Sequence, residues 1–406
     1  MIRPTTYRAT FSAWHGFVVA CLLLTLPAPA PGGQSPPSIR IATFNCSLNR
    51  NTSRELLADL QSRTNLQARK VATILRSVRP DIVLLNEFDY DDAGASIASF
   101  RANYLEAIGD WMTDPPLKMD YAWSGTVNTG VPSGRDLDHD GKADGLGDAF
   151  GFGRFPGQYG MVVLSRFPIA ADSIRTFQKL LWKDMPDSSV PSAATVDGIA
   201  WYSVEDLKSL RLSSKSHWDV PIHIGEKTLH VLVSHPTPPA FDGPEDRNGR
   251  RNHDEIRLWA DYISHESSGW IVDDTGVSGG LAVDASFVIL GDQNADPSDG
   301  DSFDHAIDQL LLHERIDSKR TPTSQGGVEA TKLQGKANTR HKGDPAQDTS
   351  DFSDGSVGNL RVDYVLPSRD IKALSAGIFW PPAGDPGTDL IDCSDHRLVW
   401  LDIAFP

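Results

Sequence analysis

Short apolar runs that each lead into a polar residue recur along the whole chain, and this arrangement limits the folds open to it. Residues 82–85 and 286–290 are two such runs, with the length and composition of buried β-strands. The polar positions at or after the runs are Asn45, Glu87, His235, Asp292 with Asn294, Asp363, and Asp395 with His396. A fold that gathers its strand ends would bring these side chains together on a rigid scaffold.

Helical periodicity is found in fewer places than strand patterns. Ser53 can cap a helix whose apolar positions continue to Val78, where Arg79-Pro80 would end it. A second helix is predicted over residues 252–263, and residues 318–359 are polar and predict a long loop. Strands interleaved with a few helices that cover outer faces predict one large α/β sandwich.

The first thirty residues have the pattern of a secretory signal peptide. Arg3 and Arg8 precede an apolar run at 17–26, and small residues end the segment at Ala30. The run is too short to span a membrane, and it continues past Cys21, which disfavours a lipid anchor there. We therefore predict a signal peptide at 1–30, a linker at 31–38, a single domain at 39–406 with inserts near 113–157 and 318–359, and a secreted or periplasmic location.

The charge of the chain restricts its binding partners. The net charge is −16, and cleavage after residue 30 would remove two basic residues and no acidic one. An acidic surface repels polyanions and argues against broad, charge-driven binding of nucleic acid. It does not exclude a nuclease whose bound metal supplies positive charge inside the cleft.

Two pairs of the polar residues suggest phosphate-ester chemistry. Asp292 and Asn294 are two residues apart, so in extended chain they point the same way and could hold a water molecule together. Asp363 is a candidate to fix one tautomer of His396. Each residue alone is more often a solvated turn or cap residue, and only their joint occurrence favours a site.

Six motifs in this order resemble the endonuclease/exonuclease/phosphatase superfamily, the deoxyribonuclease-I-like fold, and specifically a secreted bacterial-type member. The motifs are Thr-Phe-Asn (43–45), Pro-Asp-Ile-Val-Leu-Leu-Asn-Glu (80–87), Ser-His-Pro (234–236), Gly-Asp-Gln-Asn-Ala-Asp (291–296), Arg-Val-Asp-Tyr-Val (361–365) and Ser-Asp-His-Arg (394–397). The resemblance implies a four-layer α-β-β-α sandwich in which helices flank two mixed β-sheets. It also implies a divalent-metal-dependent phosphoesterase.

The resemblance also implies a role for each polar residue. Glu87 would be the ligand of a catalytic Mg²⁺ or Mn²⁺, with Asn45 and Asp395 nearby. Asp292 and Asn294 would bind the attacking water and the phosphate. His396, oriented by Asp363, would contact the scissile phosphate, and His235 would assist from the other side. The match leaves open whether a histidine or Asp292 is the general base.

An acidic segment in the first insert matches the beginning of a calcium-binding loop. Its oxygen ligands would be Asp136, Asp138, Asp140 and Asp144, with Gly141 at the sharp turn. Position twelve is Gly147 instead of glutamate, so the segment is not an EF-hand. A structural Ca²⁺ and a solvated acidic turn are both compatible with it.

The mature chain would keep two cysteines, Cys46 and Cys393, each close to a candidate site residue. In an exported protein such a pair can form a disulfide, and the alternative is two buried thiols.

Three functions remain open on the sequence. The first and leading one is an exported phosphodiesterase or nuclease, expected to act as a monomer on nucleic acid or a small phosphodiester. The second is a phosphatase of phospholipids or sugar phosphates, for which residues 379–382 could supply an apolar rim. The third is a non-catalytic, calcium-stabilised surface binding protein, which the intact set of polar residues disfavours.

Overall fold

The apolar runs form strands of two mixed β-sheets in the computed structural model of the chain. The structure describes residues 38–109, 111, 114–191 and 200–405, together with Met1 and Thr5. The predicted signal peptide, apart from those two residues, and the linker before Ser38 lie outside the described residues.

The strands in the described part of the chain are β1 (Ser38–Asn45), β2 (Ile82–Asn86), β3 (Tyr121–Trp123), β4 (Met161–Ser165), β5 (Arg175–Thr176), β6 (His217–Ile224), β7 (Lys227–Ser234), β8 (Phe287–Asp292), β9 (Ser350–Asp351), β10 (Asn359–Leu360), β11 (Asp363–Pro367), β12 (Lys372–Ile378) and β13 (Val399–Ala404). The α-helices there are α1 (Glu55–Gln61), α2 (Leu66–Val78), α3 (Ala95–Phe100), α4 (Val204–Leu207), α5 (Arg247–Ile263), α6 (Asp308–Leu311) and α7 (Gln325–Gln334).

The larger sheet has the strand order β12-β13-β1-β2-β4-β3, and the smaller has the order β11-β8-β7-β6-β5. In the larger sheet β1 pairs in parallel with β2, and in the smaller sheet β7 pairs in parallel with β8. The other pairings within these two sheets are antiparallel. Both sheets are therefore mixed, as the resemblance implies.

Three apolar clusters separate the layers. One lies between the sheets and joins residues such as Ile41 and Leu84 to Trp218 and Val288. A second packs α1 and α2 on the outer face of the larger sheet, and a third packs α5 on the outer face of the smaller sheet. This order of layers confirms the predicted four-layer α-β-β-α sandwich. The described residues from Ser38 to Phe405 form one compact unit.

The structure corrects the predicted helix over 53–78. Two helices, α1 and α2, occupy this stretch, and residues 62–65 between them are polar. Asn65 caps α2, because its side chain accepts a hydrogen bond from the backbone N–H of Ala68 at 2.9 Å. Ser53 makes no such cap at α1, whose capping position is Arg54.

Two further differences concern the weakly patterned regions. The second insert, predicted as a long loop, contains α7 and the short strands β9 and β10. Strand β6 was not predicted at all, because Pro221 lies within it and proline cannot donate to a sheet ladder. Within the described residues, none of the helices combines the length and apolar character that crossing a bilayer requires.

Candidate active site

The ends of β1 and β2 bring an amide and a carboxylate to one edge of the larger sheet. Asn45 ends β1 and is in register with Asn86 at the end of β2, which Glu87 follows. The Asn45 Nδ2 atom lies 3.1 Å from Glu87 Oε1 and 3.1 Å from Asp292 Oδ2, which belongs to the other sheet. One amide group therefore contacts two carboxylates and joins the sheets at this edge.

Asp292 is the most connected residue of the cluster. It ends β8 and is 1% exposed. Its Oδ2 atom lies 3.3 Å from His235 Nε2 and 3.5 Å from His396 Nε2, and its Oδ1 atom accepts the backbone N–H of Asn294 at 2.9 Å. The carboxylate is thus surrounded by donors that hold it in place.

His396 lies between two buried carboxylates. Its Nδ1 atom is 2.9 Å from Asp363 Oδ2, and its Nε2 atom faces Asp292. Asp363 begins β11 directly opposite Asp292 in the register of β8 and β11. The Thr349 hydroxyl donates to the same Asp363 Oδ2 at 2.8 Å and accepts the backbone N–H of Asp363 at 3.0 Å.

Burial and charge set the protonation states of this group. Burial lowers the pKa of His396, but the carboxylates of Asp363 and Asp292 outweigh it and raise the pKa to about 10. Burial raises the pKa of Asp292, yet the charges of His396 and His235 bring it well below the usual range. His396 is therefore an imidazolium and Asp292 a carboxylate at neutral pH.

His235 differs from His396 in its surroundings. Burial, followed by the nearby charge of Lys215, lowers the pKa of His235, so the ring is neutral at neutral pH. Its Nδ1 atom is buried and has no hydrogen-bond partner among the described residues. The backbone next to it is fixed, because the side-chain amide of Asn294 donates to the carbonyl of Pro236 at 3.1 Å.

Two candidate site residues have strained backbones. Glu87 has a φ of 58° and Asn294 a φ of 51°, in the left-handed region that side chains other than glycine adopt rarely. Such conformations cost about 1–3 kcal/mol each and persist only where the surrounding structure imposes them. Gly291 is needed for a different reason, since a Cβ there would lie 2.0 Å from the carbonyl oxygen of Ser234.

The Ser-Asp-His motif is attached to the rest of the site through Ser394. Its hydroxyl donates to the carbonyl of Asn45 at 2.7 Å and accepts the backbone N–H of His396 at 3.0 Å. Asp395, between them, has an exposed side chain and forms no side-chain hydrogen bond within the described residues. Its role as a metal ligand stays a prediction.

The donor set fits a divalent cation of the Mg²⁺ or Mn²⁺ type. Glu87 and Asp292 bring carboxylate oxygens to the same amide group of Asn45, and these ions bind one or two carboxylates together with water and substrate phosphate. The role of Asn45 as a ligand stays a prediction, since its Nδ2 atom faces the two carboxylates. Asp292, Asp363 and His396 also form a compact group of potential ligand atoms. We interpret this second group as an ion pair and not as a metal site, because His396 is charged and already hydrogen-bonded to Asp363.

The acidic loop of the first insert differs from its prediction in membership. Asp136, Asp138 and Asp148 bring ligand atoms within 4.8 Å of one another, while Asp140 and Asp144 are exposed and outside this group. Asp148 is held by the backbone N–H groups of Leu137 and Gly145, at 2.7 Å each.

The two cysteines are free thiols. Cys46 and Cys393 are both buried in the apolar cluster under α1 and α2. In this structure no bond joins them, an arrangement of two buried thiols. Burial raises the pKa of Cys393 to about 12 and that of Cys46 further, which makes both thiols poor nucleophiles.

Comparison with known proteins identifies the class to which this fold and site belong. The model of the endonuclease/exonuclease/phosphatase family matches residues 42–396. The chain belongs to that family, whose enzymes hydrolyse phosphoester bonds. No curated protein sequence matches the chain.

Several solved structures are similar to the chain. An endonuclease/exonuclease/phosphatase from Beutenbergia cavernae is 16% identical, with 90% of this chain and 71% of that one covered and a TM-score of 0.49. A family protein from Bacteroides thetaiotaomicron is 12% identical, with 92% and 100% covered and a TM-score of 0.47. The human Nocturnin catalytic domain is 14% identical, with 92% and 96% covered and a TM-score of 0.44.

The sequence did not reveal every residue of the site. Thr349 lies in the second insert, where no periodicity marked it, and reaches Asp363 only because β9 runs beside the Ser-Asp-His segment. Asn86 ends β2, and the motif at 80–87 that contains it assigns it no role. Its side chain contacts the carbonyl of Ser234 in the opposite sheet at 3.4 Å.

Proposed function

We propose that the protein is a divalent-metal-dependent phosphodiesterase that hydrolyses P–O bonds by in-line attack of water. The observation that carries the proposal is the contact network around Asp292, in which one buried carboxylate meets Asn45, His235 and His396. Acidic, amide and imidazole groups converge there from both sheets. An apolar binding surface has no physical need for such a cluster.

The residues divide the chemistry among them. Glu87 and Asn45, with Asp395 as a further predicted ligand, would hold Mg²⁺ or Mn²⁺, which when bound neutralises phosphate oxygens and stabilises the leaving oxygen. Asp292 and Asn294 orient the attacking water. The His396 imidazolium, fixed by Asp363, contacts the phosphate and can donate a proton to the leaving oxygen.

The location and substrate belong to the same proposal. The N-terminal sequence supports export to the periplasm or the medium, and the acidic composition favours a substrate recognised inside the cleft over one bound by surface charge. Nucleic acid and small phosphodiesters remain the substrate classes. A structural Ca²⁺ in the acidic loop is a separate proposal, supported by the approach of Asp136, Asp138 and Asp148.

Hydrolysis assays test the proposal. The purified chain, stripped of metal, is given Mg²⁺ or Mn²⁺ and assayed on bis(p-nitrophenyl) phosphate, p-nitrophenyl phosphate, plasmid DNA, RNA and phospholipid vesicles. We expect metal-dependent cleavage of diesters, and a fall of about 10²–10³ in kcat for Asp292→Asn. Asp301→Asn, at an exposed aspartate, is the matched control.

Two outcomes would reject parts of this account. Full activity in Asp292→Asn would exclude the site, and turnover of monoesters alone would exclude the phosphodiesterase. The pH profile of kcat/KM distinguishes the two candidate bases, because the pKa values of Asp292 and His235 differ.

A further inference from the structure

A buried lysine lies beside the catalytic histidine without a role in the chemistry described so far. Strands β6 and β7 are antiparallel and pair His217 with Ser234 at the end of the sheet nearest the site. Lys215 lies two residues before His217, and His235 follows Ser234. Continuing this register would place His235 opposite Ser216 and Lys215 opposite Pro236, one position away. Lys215 is close enough for its charge to lower the pKa of His235, and the charges of Glu87 and Asp292 act on Lys215 in turn.

The two loops that carry these residues are tied to one carboxylate of α5. Glu255 is 0% exposed, and its two carboxylate oxygens accept the backbone N–H groups of Ser214 and Thr237, each at 2.6 Å. The carbonyl of Lys215 accepts the backbone N–H of Asn128 at 2.8 Å. The backbone of Lys215 is therefore held on both sides, which pre-organises its position.

The side chain of Lys215 is buried but unpaired. The residue is 7% exposed, and within the described residues its ammonium forms no hydrogen bond or ion pair while it keeps some contact with solvent. Burial lowers its pKa, while the charges of Glu255, Glu87 and Asp292 favour the protonated form. Glu255 does not need the lysine as a structural partner, since backbone N–H groups already satisfy both of its oxygens.

Other polar atoms on the same two loops also lack partners. The hydroxyls of Ser214 and Thr237 and the Nδ1 atom of His235 are buried without a hydrogen bond in the described chain. Buried polar groups are almost always paired, so several unpaired ones on the two loops that carry Lys215 and His235 point to a polar ligand. An anion with several acceptor oxygens could accept hydrogen bonds from these two hydroxyls and from the ammonium.

We propose that Lys215 binds a non-bridging oxygen of the substrate phosphate and that Glu255 is the positioning residue that holds it beside His235. This rests on the proposed function, because it names a further residue of the same site. A lysine acts on phosphate as a point charge, and inside a buried site such a charge is weakly screened. It would offset the acidic groups around the cleft and help to draw the phosphate in.

Inorganic phosphate is the probe for this assignment. Its binding to the Mg²⁺-loaded chain is measured by calorimetry for wild type, Lys215→Met, Lys215→Arg and the control Lys372→Met, at an exposed lysine of β12. We expect Lys215→Met to bind phosphate about tenfold to a hundredfold more weakly, Lys215→Arg to keep most of the affinity, and the control to match wild type. Equal affinity in a folded Lys215→Met would overturn the assignment.

A second measurement needs no variant and decides the question if Lys215→Met does not fold. Amine labelling of the wild-type chain, read by mass spectrometry, should slow at Lys215 when phosphate is added and stay unchanged at Lys372. No protection of Lys215 rejects the proposal. If Lys215 binds phosphate and the chain hydrolyses no phosphodiester, the proposed function fails while this assignment stands.

Discussion

Replacing His396 with asparagine should destabilise the protein strongly, because it removes the positive charge shared by two buried carboxylates. His396 is 5% exposed and lies between Asp363 and Asp292, which are 2% and 1% exposed. Removing one partner of a buried ion pair costs about 3–5 kcal/mol. A pKa near 10 in place of 6.5 corresponds to a similar amount at about 1.4 kcal/mol per pH unit.

The destabilisation caused by His396→Asn should depend on pH in a definite direction. The pKa of His396 is raised in the folded state, so its contribution to stability is complete below about pH 6.5 and is lost as the pH rises through about 10. The stability difference between wild type and His396→Asn should therefore be greatest near pH 6.5. It should shrink by about 1.4 kcal/mol per pH unit toward pH 10.

Urea unfolding in the presence of a chelator measures this difference without any contribution from bound metal. The free energies of unfolding of wild type and variant are compared at several values between pH 6.5 and 9.5, with His223→Asn as the control at an exposed histidine. The reasoning is refuted if the difference does not change with pH, or if His396→Asn is no more destabilising than the control.

Three further predictions concern Thr349, the cysteines and the acidic loop. Thr349→Val should lower the free energy of unfolding by about 1–3 kcal/mol and reduce kcat, because the backbone N–H groups of Val362 and Asp363 lose their acceptor. The control Thr339→Val, at an exposed threonine, should change neither quantity. Cys46 and Cys393 should react with a thiol reagent only after unfolding, and protection that persists in denaturant without reductant would instead indicate a disulfide. Excess Ca²⁺ should raise the Tm of the chelator-treated chain and not that of Asp148→Asn, and equal shifts would reject the loop as the binding site.

The apolar patterns of the strands were sufficient to predict which polar residues lie at strand ends. Asn45 and Asp292 end strands whose alternating or continuous apolar character is visible in the sequence, so their arrival at one edge of the sandwich followed from the fold. Their mutual contact depends on sheet packing, which the motif order implied only through resemblance.

The remaining features depend on contacts between distant segments. Thr349 donates a hydrogen bond to Asp363 from an insert that shows no periodicity. Pro221 made β6 difficult to predict, and Lys215 lies just before this strand. The break between α1 and α2 was visible in principle, since Asn65 is a good helix cap and none of residues 61–65 is apolar. The local sequence predicts secondary-structure elements well, but it gives little information about which insert contacts which distant side chain.

The central claim is that Glu87 and Asn45 hold a divalent metal beside Asp292 and His396. Anomalous diffraction from crystals grown with Mn²⁺ tests it most directly, because the signal locates the ion independently of activity. We expect a peak bound by the Glu87 carboxylate within contact distance of Asn45, and none there in Glu87→Gln. A peak only at the acidic loop, or an unchanged peak in the variant, would contradict the account.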